Sequence, residues 1–214
     1  MSYPQAPWTL QGYSIQSLQP IDIEQARPLV PAELEIVSVF PGKTLGGIYV
    51  ASYETGSTLL YNELIVVAAL TRYANQIGSW VSHIYVDNPD SVAGGREIWG
   101  LPKQLAQFVW ERGNHKRVSV YQDNQLLCRF EQSWQIPTWR QPLKVTSFST
   151  QDADLLSFEA EASANFSLLG ADLQVPSGSP FHHLSLDQPR LVFYADQLRL
   201  SVGSPQQLAT RVKF

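Results

Sequence analysis

The chain has 214 residues, a length that suits one domain and is enough to bury a sizeable core. Only 16% of the residues are charged, against roughly 25% in an average protein, so we expect much of the surface to be neutral or in contact with other subunits. The net charge is −4 and no basic cluster is present, which argues against nucleic acid as a partner.

The sequence shows no sign of a membrane span or of export. Its longest apolar stretch, Leu64–Leu70, is far shorter than the ~20 residues that a membrane helix needs. The first residues have neither a basic start nor a long apolar run, and the single cysteine, Cys128, excludes a disulfide within the chain. We therefore expect a cytoplasmic protein with no membrane contact.

Short runs of β-branched and aromatic residues, broken by turn residues, recur along the chain at intervals of about ten residues. The pattern predicts strands at Gly12–Leu18, Leu34–Phe40, Gly47–Tyr53, Leu59–Leu70, Trp80–Val86, Gln107–Glu111, Arg117–Tyr121, Leu126–Phe130, Phe158–Ala160, Ala164–Leu169, Arg190–Tyr194 and Gln197–Val202. Gln122–Gln125 is typical of a hairpin turn. These features indicate one predominantly β domain over residues 1–214, built from antiparallel strands.

Helical signals are few. Ile21–Val30 is a short candidate helix, with Asp22 as its N-cap and Pro28 as an interruption. A second helix is predicted to begin after Asn88, an N-cap residue, and to end between Glu97 and Trp99, where glycine and proline follow.

Three further segments lack a clear strand pattern. Trp134–Leu143 contains two prolines, and Gln174–Ser185 contains two prolines and a glycine, so both are predicted to be loops within the domain. Residues 204–214 are predicted to form a last helical turn or two.

The most informative residue is Lys103, which follows Pro102 and lies between Leu101 and Leu105. A lysine among apolar neighbours can be partly removed from water. The alternative is a surface lysine in a turn, and the residues by themselves leave both interpretations open.

The segment from Tyr85 to Lys103 resembles the signature of the acetoacetate decarboxylase family. The matching positions, which keep the order and spacing of the family without a gap, are Tyr85, Asp87, Asn88, Gly95, Arg96, Glu97, Pro102 and Lys103. Upstream, the stretch from Val30 to Ile36 resembles the family's segment after its first helix, and Tyr61–Glu63 resembles the segment that supplies a pocket glutamate. The likeness covers roughly residues 12–130.

This resemblance implies that Lys103 condenses with a substrate ketone and that Glu63 is a carboxylate of the same pocket. The protonated imine then acts as an electron sink while carbon dioxide leaves, which needs no metal and no organic cofactor. The resemblance also implies a homo-oligomer of α+β, predominantly β, fold. In that fold antiparallel sheets form a closed barrel or cone around the pocket, with a few short helices.

An imine-forming lysine has to lose its proton. An unperturbed lysine, with a pKa of about 10.4, is neutral only ~0.04% of the time at pH 7, and lowering that pKa to 7 takes about 4.6 kcal/mol. In acetoacetate decarboxylase itself, an apolar pocket or a neighbouring cation activates the lysine. Here the next residue is Gln104 rather than a second lysine, so we expect burial beside Trp99 and Leu101 to provide the activation.

Two charged positions of the family's pocket are replaced in this sequence. The position of the substrate-facing arginine falls on Gly12, and that of a second pocket glutamate falls on Ile48. Without the arginine a substrate carboxylate lacks its charge partner. We therefore expect a more apolar pocket, which favours a neutral or longer-chain carbonyl compound over acetoacetate.

The remaining candidates are weaker. His83 is predicted either to point into the pocket with Trp99, Leu101 and Ile48 or to pack within a strand. Arg96 and Glu97 are predicted to form a structural ion pair that fixes the turn before Lys103, with a catalytic role as the alternative. A metal site is not predicted, because adjacent histidines such as those at positions 182 and 183 point to opposite faces of a strand and no other ligands accompany them.

The sequence thus predicts a Schiff-base lyase, most simply a decarboxylase of a β-keto acid, with Lys103 as nucleophile and Glu63 orienting the substrate or handling protons. Two alternatives remain open. One is an imine enzyme of aldolase or dehydratase type acting on a keto acid, and the other is a non-catalytic binder of a small apolar ligand.

Overall fold

The computed structural model describes residues 3–112 and 116–210. Its helices are α1 (Ile23–Ala26) and α2 (Pro89–Trp99), with 3-10 turns at Arg27–Leu29 and His182–Leu184. Its strands are β1 (Trp8–Asp22), β2 (Glu35–Ile36), β3 (Lys43–Tyr53), β4 (Tyr61–Tyr73), β5 (Gln76–Val86), β6 (Lys103–Leu105), β7 (Gln107–Arg112), β8 (Lys116–Gln122), β9 (Gln125–Gln151), β10 (Asp154–Gln174), β11 (Leu191–Val202) and β12 (Gln206–Ala209).

Within the described residues the strands form one twelve-stranded sheet in the order β12-β10-β11-β1-β3-β4-β5-β9-β8-β7, with β2 beside β4 and β6 beside β5. A long additional pairing joins β9 to β10, so that β10, β11, β1, β3, β4, β5 and β9 follow one another in a ring of paired strands. Most pairings are antiparallel, but β5 pairs in parallel with both β6 and β9. The predominantly β fold is confirmed, whereas a fully closed barrel or cone stays a prediction.

Alternation along the strands separates two apolar regions. In β4, Leu64 and Val66 belong to the larger core cluster, while Glu63, Ile65 and Val67 line a cavity on the other face. The same alternation holds in the neighbouring strand β3. One face of these strands therefore stabilises the fold, and the other face builds the candidate site.

The segment Trp134–Leu143, predicted to be a loop, instead belongs to the long strand β9 and pairs with β10. The prediction was wrong because it treated Pro137 and Pro142 as strand breakers. This part of β9 pairs with β10 alone, since β8 and β5 contact other parts of the strand. An edge of this kind tolerates proline, whose missing N–H costs no sheet hydrogen bond there.

The first and the last of the predicted helical segments also differ from the structure. The first helix is shorter than Ile21–Val30, and the carboxylate of Asp22 pairs with Lys43 at 2.7 Å instead of capping α1. Residues 206–209 form strand β12 rather than a helical turn, because they pair with β10. Residues 211–214, which complete that prediction, lie outside the described residues.

Two local predictions are confirmed. The hairpin turn at Gln122–Gln125 joins β8 to β9, with Asp123 and Asn124 at φ of 49° and 63°. Helix α2 begins where predicted, because the Asn88 side chain accepts hydrogen bonds from the backbone N–H groups of Asp90 and Ser91. It ends at Trp99, within the predicted range, and is followed by Gly100, whose φ of 61° suits glycine.

No helix among the described residues combines the length and the apolar character required to cross a bilayer.

Candidate active site

Lys103 stands at the start of β6, immediately after the turn that ends α2. Its backbone pairs in parallel with Ile84 of β5, and its carbonyl accepts a hydrogen bond from Nε of Arg96 at 2.8 Å. Only 3% of the residue is exposed. The turn therefore carries the lysine into the interior rather than leaving it at the surface.

The amine of Lys103 has two polar partners. Nζ donates to Oε1 of Glu63 at 2.8 Å and to Oγ of Ser91 at 3.0 Å. It also lies 5.0 Å from the centre of the Tyr61 ring and 5.6 Å from that of Trp8. Strand β4 and helix α2 thus approach the amine from two directions and fix its position.

Gly95 explains how α2 packs so closely over the lysine stem. A Cβ atom at this position would lie 2.4 Å from Cδ and 2.6 Å from Cε of Lys103. Any side chain here would therefore push the stem aside. The glycine of the family signature permits this close contact between helix and lysine.

Glu63 is buried on the cavity face of β4 and uses both carboxylate oxygens. Oε1 accepts from Lys103, and Oε2 accepts from the hydroxyl of Tyr53 at 2.9 Å. The Tyr53 hydroxyl lies 3.2 Å from that of Tyr49, in the same strand. Burial, followed by the negative charge of Glu63, raises the pKa of Tyr53 and of Tyr61 well above the usual value, so both side chains are neutral hydrogen-bonding groups.

The lysine and the glutamate lie at a cavity of about 210 Å³. Its walls come from all seven strands of the ring and from the end of α2, and apolar side chains predominate. Among the described residues that line it, Lys103 and Glu63 are the only charged ones. The cavity is therefore an apolar space with one ion pair in its wall.

Trp99 and Leu101, both predicted to contact substrate, line this cavity. The indole N–H of Trp99 donates to the carbonyl of Gly203 at 2.8 Å, and its ring packs edge-on against Trp8 at 4.9 Å. Because its polar atom is already used, Trp99 offers the cavity an apolar surface.

The structure places the other two predicted substrate residues away from the cavity. Ile48 is fully buried in the core cluster on the opposite face of β3, and the cavity-facing neighbour is Tyr49. His83 lies 5.6 Å from the ring of Phe181, again on the far side of its strand. Burial, with a contribution from His183, lowers the pKa of His83 to about 4. Ile48 was misplaced because positions were counted without the strand alternation, whereas for His83 the alternative prediction, packing within a strand, agrees with the structure.

Gly12 occupies a point of close strand approach. A Cβ atom there would lie 1.9 Å from the carbonyl oxygen of Ser52. No arginine can therefore occupy this position without displacing β3. The residues of β1 that line the cavity are Trp8, Leu10, Ser14 and Gln16, so β1 brings no cation into it.

Arg96 and Glu97 contact different partners instead of forming the predicted ion pair. Arg96 binds the carbonyl of Lys103, whereas the Glu97 carboxylate accepts from the hydroxyl of Tyr3 at 2.6 Å. Arg96 still fixes the turn that carries the lysine, but through a backbone contact.

Sequence reasoning missed Ser91, Tyr53, Tyr49 and Trp8. The signal for the tyrosines was their spacing, because Tyr49, Ala51 and Tyr53 alternate on one face of the strand that pairs with Glu63. Ser91 lies in the first turn of α2, whose start was predicted, but only the packing of the helix against β6 brings it to the lysine. No group of three or more His, Cys, Asp or Glu side chains in the described part of the chain is arranged to hold a metal ion.

Known proteins resemble this chain in sequence and in fold. The family model of acetoacetate decarboxylase (ADC) matches residues 11–168. The curated protein NEOXANTHIN-DEFICIENT 1 of Solanum lycopersicum is 32% identical over 108 residues, which are 50% of this chain and 36% of that protein. The match thus spans little more than a third of that relative.

Solved structures share the fold over nearly the whole chain. The acetoacetate decarboxylase of Legionella pneumophila superposes with a TM-score of 0.79 at 16% identity, covering 98% of this chain and 90% of the other. The enduracididine biosynthesis enzyme MppR, complexed with the condensation product of pyruvate and imidazole 4-carboxaldehyde, gives a TM-score of 0.64 at 14% identity, covering 99% and 90%. At these identities the likeness is one of fold.

Proposed function

Because the chain belongs to the acetoacetate decarboxylase family, we propose that it is a cofactor-free Schiff-base lyase in which Lys103 forms an imine with a keto substrate. The simplest reaction of this kind is decarboxylation of a β-keto acid. The observation that carries the proposal is the buried amine of Lys103, held 2.8 Å from Glu63 in the wall of an apolar cavity.

The contact between Lys103 and Glu63 provides a route to the free amine. Transfer of one proton from Nζ to Oε1 yields a neutral amine and a carboxylic acid without changing the net charge of the cavity. In a site with little water, this neutral pair can be reached from the resting ion pair, because it leaves no separate charges to be kept out of solvent. Glu63 then serves as acid and base at the reacting carbon.

The reaction follows from these two groups. The amine attacks the ketone carbon, while Glu63 gives a proton to the carbonyl oxygen, takes one back from nitrogen and gives it to the departing hydroxyl, which leaves as water. In the resulting protonated imine, the bond to the carboxylate breaks and its electron pair forms an enamine as carbon dioxide leaves. Proton addition to the enamine carbon and hydrolysis of the imine release the ketone and Lys103.

The apolar lining supports a substrate whose body is apolar. No described cavity residue other than Lys103 carries a positive charge, so a substrate carboxylate next to the imine is poorly solvated. Its conversion to carbon dioxide removes that buried negative charge. A longer-chain β-keto acid fits these properties better than a substrate with a second charged group.

Two alternatives each have one supporting observation. The structural neighbour MppR is complexed with a condensation product of pyruvate and an aldehyde, which supports an aldolase or dehydratase type of imine chemistry on a keto acid. The predominance of apolar side chains in the cavity supports a non-catalytic binder of a small apolar ligand.

Borohydride trapping tests the proposal. The protein is incubated with acetoacetate, pyruvate or 3-oxooctanoate and reduced with borohydride. Its mass is then measured by intact mass spectrometry. We expect a mass gain that is lost in Lys103→Met and retained in Lys43→Met, since Lys43 lies in an exposed ion pair. Release of carbon dioxide from 3-oxooctanoate then distinguishes decarboxylation from condensation. If no keto compound is trapped, the binder becomes the better account.

We also propose that the protein is a homo-oligomer, supported by the low charge content of the chain and by the exposed apolar side chains of β9. We propose a cytoplasmic location as well, with which the single cysteine is compatible.

A further inference from the structure

Decarboxylation of a β-keto acid consumes one proton in each turnover, because the carbon that loses carbon dioxide ends with a hydrogen instead. In the reaction above, Glu63 is a carboxylate once the imine has formed, so it has no proton to give to the enamine. Both Glu63 and Lys103 are buried, with 5% and 3% of their surfaces exposed. A proton therefore has to reach the pair from outside.

The structure contains a chain of hydrogen-bonding groups that leads to Glu63. The hydroxyl of Tyr49 lies 3.2 Å from that of Tyr53, and Tyr53 donates to Oε2 of Glu63 at 2.9 Å. Tyr49 is half-buried, whereas Tyr53 is only 3% exposed. Tyr49, at the outer end of the chain, is thus more exposed than either Tyr53 or Glu63, and both tyrosines line the cavity.

We propose that Tyr49 and Tyr53 form a proton relay that recharges Glu63 between imine formation and enamine protonation. This inference rests on the proposed function. The proton of the Tyr53 hydroxyl moves to Oε2, the Tyr53 oxygen takes the proton of Tyr49, and Tyr49 takes one from solvent. Glu63 then gives its proton to the enamine carbon, whose double-bond electrons form the new C–H bond.

The chemistry of the two hydroxyls suits a relay better than storage of a proton. Burial, followed by the charge of Glu63, raises the pKa of Tyr53 well above its usual value, and burial also raises that of Tyr49. Neither side chain therefore remains ionised. Each can pass a proton onward only while it receives another, as a hydrogen-bonded chain allows.

The groups on the other side of the lysine do not offer such a route. Ser91 contacts Nζ rather than Glu63, is fully buried and does not line the cavity. Tyr61 interacts with Ser91 and is 4% exposed. These residues position the nucleophile, while the tyrosines of β3 reach the carboxylate.

Exchange of α-hydrogens in deuterated water separates the relay from imine formation. A ketone such as 2-heptanone exchanges its α-hydrogens for deuterium when its imine converts to the enamine and back. This exchange requires that the proton taken up by Glu63 is itself replaced by a deuteron from solvent. In Tyr53→Phe, we expect borohydride trapping of 2-heptanone at Lys103 to stay within about twofold of the wild type. We expect its exchange rate to fall about 10²-fold, in the range of general acid–base contributions.

Tyr85→Phe is the matched control, because Tyr85 is equally buried but lies in the larger core cluster and not at the cavity. In this variant both trapping and exchange should be unchanged. Exchange in Tyr53→Phe as fast as in the wild type would overturn the relay, as would an equal loss of trapping and exchange. Absence of trapping in the wild type would instead refute the imine enzyme itself. The two failures are therefore distinguishable.

Discussion

At the scale of single residues, the site depends on a buried lysine and a buried glutamate that form a hydrogen-bonded ion pair. The residues around Lys103 left a buried and a surface position open, and the family resemblance singled out both Lys103 and Glu63. Their direct contact was not predictable, because it depends on the packing of α2 and β6 against β4. Ile48 illustrates the opposite case. A shift of one position in a strand moves a side chain from the cavity to the core, so counting along the sequence was insufficient for it.

Substitution of one partner should reveal how much the contact between Lys103 and Glu63 contributes to the stability of the fold. In Glu63→Gln the ammonium of Lys103 loses its buried counter-charge, so we expect the free energy of unfolding to fall by about 3 kcal/mol or more. Combining Glu63→Gln with Lys103→Met should recover most of this loss, since no buried charge remains unpaired. Urea unfolding of the wild type, of Glu63→Gln and of the double variant measures the effect. A double variant less stable than Glu63→Gln would contradict it.

At the scale of elements, local chemistry determined what the sequence could predict. The start and end of α2 follow from Asn88 and Gly100, which act within one turn of chain. The long strand β9 was missed because its proline-containing part is defined by pairing with the distant strand β10. The limits of α2, which depend on local caps, were predictable, whereas the proline-containing part of β9, which depends on a remote partner, was not.

The cap of α2 provides a test at this scale. Asn88→Ala removes the acceptor for the N–H groups of Asp90 and Ser91, and we expect a loss of about 1 kcal/mol in the free energy of unfolding. Asp22→Ala is the control, because Asp22 precedes α1 without capping it and holds only an exposed ion pair, worth about 0–1 kcal/mol. Equal losses of unfolding free energy in the two variants would contradict a specific stabilising contribution of the Asn88 cap.

At the scale of the whole molecule, strand pairing places the site between the walls of one sheet. The sequence predicted the β-rich class and the family, but not the ring order of the strands, which depends on contacts between residues far apart in the chain. The same topology leaves an unusual feature at the surface. Trp134, Ile136 and Trp139 of β9 are 48%, 56% and 67% exposed beside an unpaired strand edge.

This edge leads to a prediction about assembly. If the chain is a homo-oligomer that uses this part of β9, sedimentation should give a mass above the 24.0 kDa of one chain. Trp139→Glu should then shift the protein towards the monomer, because a buried charge disfavours the interface. Ile77→Glu, at an exposed apolar residue outside β9, should leave the mass unchanged. A monomeric wild type would refute the homo-oligomer.

The most direct measurement for the account as a whole is peptide mapping of the protein after reduction in the presence of 3-oxooctanoate. Digestion and tandem mass spectrometry locate the modified side chain. Our account predicts a single reduced adduct, on the peptide that contains Lys103. The surface lysines of the protein should be unmodified. Adducts spread over exposed lysines, with the Lys103 peptide unchanged, would contradict it.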